Sequence, residues 1–150
     1  MSPERPVVAA STAQNVARRV LGAALLVAGT GHLTWQREEF QAQVPSWFPA
    51  DKDLVVLASG VVELALGTAL VLANERQRVT VGWVAAGFFV VIFPGNIAQF
   101  VEGTDAFGLS SDTARAARLA FQPALVAAAL WSTGAWTAWR ARRATGNAVT

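Results

Sequence analysis

Glu63 is the only charge in the apolar run of residues 54–73, and His32, the sole histidine, sits near the end of the motif Ala28-Gly29-Thr30-Gly31-His32-Leu33. A carboxylate and an imidazole can take up and pass on protons or anchor a polar ligand. The plainer role for Glu63 is a polar staple between helices. Asn96 and Gln122 carry amides that can orient a polar head group or simply hold helices together. Arg118 can pair with Glu63, hold a lipid phosphate, or snorkel from a helix end. Trp47, inside Val44-Pro45-Ser46-Trp47-Phe48-Pro49, can touch a ligand or anchor the chain at an interface. A metal centre on His32 and Glu63 lacks a third strong ligand. The absence of cysteine removes disulfides, thiolate metal sites and dithiol relays, and one histidine cannot form a bis-histidine haem site within the chain.

The elements that would position these groups follow from composition. Hydrophobic residues make up 53% of the 150-residue chain and charged ones 15%, against about 25% charged in an average soluble domain. Four apolar runs stand out; residues 54–73 are long enough to span a hydrocarbon core of ~30 Å at ~1.5 Å per residue, and residues 79–100 are similar. The expected class is all-α, an integral membrane four-helix bundle, with helices over residues 13–34, 54–73, 79–100 and 119–139. Residues 1–12 are expected to be a flexible amino-terminal segment and residues 141–150 a flexible basic tail. The first run is short unless Arg18 and Arg19 snorkel. It is not read as a cleaved signal, because no A-x-A site with a soluble mature portion follows it. Phe40 and Val44, four apart, predict a short interfacial amphipathic segment in the first outer loop, able to act as a lid.

Charge sets the expected orientation. Arg5, Arg18, Arg19, Arg76, Arg78, Arg140, Arg142 and Arg143 fall on one side, against Arg37, Lys52, Arg115 and Arg118 on the other. The bias places both termini in the cytoplasm and gives a basic inner rim suited to an anionic leaflet. Trp35 and Trp47 fall at the outer boundary, Trp83, Trp136 and Trp139 at the inner one, and Trp131 deep. With no basic face on a soluble domain, nucleic-acid binding is excluded as the reading of the high pI.

Small residues indicate which helix faces pack in lipid. Gly60, Glu63 and Gly67 share a stripe, as do Gly22, Leu25, Gly29 and His32; Arg118, Gln122, Leu125, Ala129 and Ser132 line up on the last run, and Gly82, Ala85, Phe89 and Asn96 on the third. Rise per residue puts Glu63 about 13 Å below the outer helix end, and His32, Asn96 and Gln122 roughly 5–6 Å inside it. Pro94 cannot donate to the carbonyl of Val90 and should leave an acceptor free nearby. These placements predict an outward-facing polar cavity with Glu63 at its floor.

The motifs AGTGHL, VPSWFP, SGVVELALGTALVL, FPGNI and RLAFQPAL occur in that order between about Leu21 and Trp139. In this the chain resembles the DoxX family of small four-helix bacterial membrane proteins. The resemblance implies a bacterial cell-membrane location and a membrane subunit, more safely than a complete enzyme, of a redox-related system, either quinone-linked or tied to oxidative stress. On that expectation Glu63 and His32 handle protons, while Asn96, Gln122, Arg118 and Trp47 bind a small, partly apolar molecule such as a quinone. Electrons would come from a redox partner protein, and a homo-oligomer is compatible. The alternatives are a small-molecule transporter or exporter, and a non-catalytic scaffold for a soluble redox enzyme.

Overall fold

The computed structural model describes residues 9–146; Arg5 and the remaining positions of 1–8 and 147–150 lie outside the described residues. Six helices and no strand are found among those described: α1 (Thr12–Leu33), α2 (Arg37–Gln41), α3 (Lys52–Leu72), α4 (Arg78–Glu102), α5 (Asp112–Ser132) and α6 (Ala135–Gly146). Helices α3 and α4 are long and apolar enough to cross a membrane.

Helix starts are set by side-chain caps. Ser11 and Gln14 form a reciprocal capping box at α1, Asp51 accepts from the Leu54 N–H at α3, and Ser111 accepts from Ala114 at α5. Each satisfies an N–H that has no partner within its helix. The cap at Ser111 starts the last long helix at Asp112, so the helical lead-in expected ahead of residue 119 is continuous with the span. The helix ends sooner than expected. Gly134 adopts φ +71°, a left-handed conformation that glycine takes without strain and that terminates helices. The span expected over 119–139 is therefore split into α5 and α6, and residues 141–146, expected to be a flexible tail, continue α6.

Packing centres on two helix pairs, α1 with α3 and α4 with α5. Between α1 and α3 the contact is backbone to backbone. A Cβ on Gly22 would lie 2.8 Å from the Gly67 carbonyl oxygen, and one on Gly67 would lie 2.7 Å from that of Gly22. One on Gly29 would meet the Gly60 carbonyl oxygen at 2.8 Å. The two glycine stripes thus face each other in antiparallel register, an approach open only to residues without a side chain. Arg18 was expected to snorkel. Instead it is buried and donates through Nη1 to the carbonyl of Leu70, so a cation satisfies the exposed carbonyl end of α3. Between α4 and α5, Thr133 fills the place where a side chain on Gly82 would sit. Leu21, Leu25, Leu66, Leu70, Ala85, Phe89 and their neighbours form the apolar core.

Candidate functional site

The register fixed by the glycines carries His32, in the last turn of α1, alongside Glu63, midway along α3. Their Nδ1 and Oε2 atoms are 3.0 Å apart, and both side chains are buried. Nδ1 also lies 2.9 Å from the carbonyl oxygen of Ala28, one turn back. A carbonyl only accepts, so this contact assigns a proton to Nδ1. With that N–H aimed at Ala28, Glu63 Oε2 has proximity to the ring but no aligned hydrogen bond, and it remains a buried acceptor without a hydrogen-bond donor. Sequence depth estimates separated these two groups; helix packing joins them.

A second polar set lies between α4 and α5. Gln122 Nε2 donates to the Phe89 carbonyl at 2.6 Å, Asn96 Nδ2 to Gln122 Oε1 at 2.9 Å, and Arg118 Nε to Asn96 Oδ1 at 3.2 Å. The terminal carbonyl fixes the orientation of every member, because an acceptor at one end forces both amides to point the same way. Helix α4 continues through Pro94. The carbonyl taken is that of Phe89, one residue before the expected Val90, because Phe89 is buried facing α5 while Val90 is exposed.

Aromatic rings join the two sets at the loop end of the bundle. Phe40 of α2 stacks on the His32 ring with centroids 3.3 Å apart and planes at 17°. Phe107 meets Phe40 edge-on at 4.7 Å, and the Arg118 guanidinium lies over Phe107 at 4.8 Å. Phe107 has φ +56°, a strained conformation for a bulky residue. Its N–H is held by Glu39 at 2.9 Å. Ser46 bonds Glu102, Arg37 and Gln41 bond Asp53, and the Gln43 carbonyl lies directly against Gly95. The first loop is thereby fastened over the bundle. Hydrogen bonding to Asp53 raises the pKa of Arg37 above its ordinary value.

The polar groups therefore form a closed cluster rather than the open cavity expected from the sequence. Glu63, His32, Asn96 and Gln122 are each no more than 6% exposed, and Phe40 covers the imidazole. A groove of about 400 Å³ lies above, lined by Glu38, Glu39, Lys52 and Asp105 among others. Of the residues singled out in the sequence, the fold brings His32 to Glu63 and brings Arg118, Asn96 and Gln122 together. Trp47 joins neither set: it is 69% exposed and neighbours Phe48. Phe107 was not anticipated; the available signal was a lone aromatic before glycine in an otherwise polar loop. No group of three or more His, Cys, Asp or Glu side chains placed to hold a metal occurs among the described residues.

These features define a helical bundle with a buried acid–imidazole pair and an aromatic cover. Residues 21–133 match the family described as domain of unknown function DUF8561, and the chain belongs to that family. The match takes in α2 to α5, most of α1 and both polar sets. No curated protein and no solved structure matches the chain.

Proposed function

We propose that this chain is an integral membrane protein in which α1, α3, α4 and α5 all span the bilayer of a bacterial cell membrane, with both termini cytoplasmic. Large apolar side chains on all four helices point outward, including Val20 and Val27, Val61 and Leu72, Val84 and Val91, and Phe121 and Trp131. Such a surface suits acyl chains and would be a liability in water. Within the bundle, the Glu63–His32 pair is the working site of a membrane subunit in a redox-related system. It receives the polar head of a small, partly apolar molecule, of which a quinone is the leading example. Reduction of a quinone to a quinol consumes two electrons and two protons. A partner protein supplies the electrons, while Glu63 and His32 pass protons to the head-group oxygen. Asn96 and Gln122 give the pocket a wall of fixed polarity, and Phe40 moves aside for entry.

One observation carries this reading: a buried carboxylate oxygen, 3.0 Å from an imidazole, that accepts no hydrogen bond. An ionised carboxylate near a bilayer centre costs ~3 kcal/mol on insertion scales, and a staple would be expected to use both oxygens. A cover at one end, where Phe40 lies on the imidazole, favours a binding subunit over a transporter. At the opposite end Leu70, Ala85, Ala129, Ser132 and Thr133 are fully buried and leave no passage.

The experiment is binding of decylubiquinol, the reduced form whose hydroxyl can donate to the Glu63 carboxylate, to the full chain in nanodiscs. Glu63→Gln keeps the shape but removes the charge and one acceptor, and should weaken binding by at least about tenfold, the size of one charge-assisted hydrogen bond. Unchanged binding together with unchanged quinone-dependent growth would remove Glu63 from the proposed role.

A further inference from the structure

We infer that Arg118 forms an oxyanion subsite at the loop end of the bundle, distinct from the Glu63–His32 pair and built to receive a phosphate or carboxylate group. Three arginines lie at this end. Arg37 is paired with Asp53, and Arg115 is bound by Asp105 and Asp112 and by the Leu109 carbonyl. Arg118, one turn beyond Arg115 on the same helix, has no carboxylate within ion-pair distance among the described residues. Among the described residues its single hydrogen bond uses Nε, leaving the N–H groups of both Nη atoms without a partner there. The guanidinium is nevertheless held firmly. Asn96 can offer it only an oxygen, because the run of donors ends on the Phe89 carbonyl, and the face of Phe107 supports it from beneath.

This arrangement is difficult to explain as a stabilising one. A half-buried cation without a counter-charge is costly, and a snorkelling arginine would not need a partner of fixed polarity. A planar fork with its Nε tied down, by contrast, presents its remaining donors in the geometry that suits two oxygens of one anion. Keeping Phe107 in a strained conformation to support that fork is the kind of local expense found at binding sites. The same chemistry can be met by the phosphate of an outer-leaflet lipid or by a soluble oxyanion.

Two titrations of the full chain, in an uncharged detergent, separate these sources. Inorganic phosphate tests a soluble anion, and dispersed short-chain phosphatidylglycerol, compared with the corresponding phosphatidylcholine, tests a lipid head group. Wild type should bind in at least one arm, and Arg118→Gln should lose about tenfold or more in that arm. Arg118→Lys, which keeps the charge but not the fork, should fall between them. Should Arg118→Gln fail to fold, modification of Arg118 by phenylglyoxal in wild type, read by mass spectrometry, replaces it: the anion that binds should slow the reaction. No binding in either arm, equal binding by Arg118→Gln, or no protection of Arg118 overturns the assignment. Glu63→Gln should bind the oxyanion as wild type does, so a failure of the quinone reading leaves this one standing, and the reverse holds equally.

Discussion

At the scale of single residues, the two polar sets differ in how fully they are satisfied. The Gln122 set is closed: each amide has a donor role and an acceptor role in use, and the last donor ends on a backbone carbonyl. Removing its middle member strands Phe89 O and Asn96 Nδ2 in a buried place. Gln122→Ala should therefore destabilise the protein by about 1–3 kcal/mol, read by denaturant unfolding in detergent. Trp47→Ala, at an exposed position, should stay within about 0.5 kcal/mol. Equal effects would mean that the network is not holding the bundle. The Glu63 set is incomplete, with one buried oxygen unmet, and it is that oxygen which the proposed function puts to use. Residue types made most of these participants legible in the sequence, since a lone acid, a lone histidine and two amides in apolar runs are conspicuous. His32 and Glu63 were assigned to one cavity from the sequence, but their direct contact was not legible. It depends on where α1 stops relative to α3, and no spacing within one helix encodes that.

At the scale of helices, the glycine stripes are the feature that the sequence carried furthest. Spacing alone put Gly22 and Gly29 on one face and Gly60 and Gly67 on another, and the structure sets those faces against each other. What periodicity left open was the break after Thr133. The apolar pattern continues across it, and only the left-handed conformation at Gly134 and the Arg78 guanidinium packed against it separate α5 from α6. The stripes also make a matched test. A methyl group on Gly67 would lie 2.7 Å from a backbone oxygen that cannot move without its helix, whereas one on Gly87 would meet nothing within 4 Å. Gly67→Ala should cost about 1–3 kcal/mol through forced separation of α1 and α3 and should disturb the His32–Glu63 contact with it. Gly87→Ala should change stability by less than about 1 kcal/mol. If both variants unfold alike, the close approach of these two helices is not what sets the register of the site.

At the scale of the whole molecule, the proposed function depends on which surfaces meet lipid. Among the described residues, only α3 and α4 are long and apolar enough to cross a membrane. Helices α1 and α5 carry charges in their first two turns, and those charges lower their average even though their middles are apolar. Placement accounts for these charges under the proposed topology. Arg18 on α1 is turned inward onto the end of α3, Arg19 is exposed near the same end, and Arg115 and Arg118 on α5 lie at the loop end, so neither helix needs to show a charge to the middle of a bilayer. The proposed topology has four spans with both termini on one side, and the chain allows a direct check because it contains no cysteine. Single cysteines introduced at exposed loop positions can be labelled with a membrane-impermeant maleimide. Ser110→Cys and Pro49→Cys, in the two loops at the site's end, should react in intact cells whose outer barrier has been removed. Asn74→Cys in the α3–α4 turn and Arg142→Cys on α6 should react only after the membrane is opened. Labelling of all four without lysis would mean that no bilayer separates the two ends. Labelling of Asn74→Cys and Arg142→Cys alone would invert the molecule, and the aromatic cover over His32 would then open toward the cytoplasm.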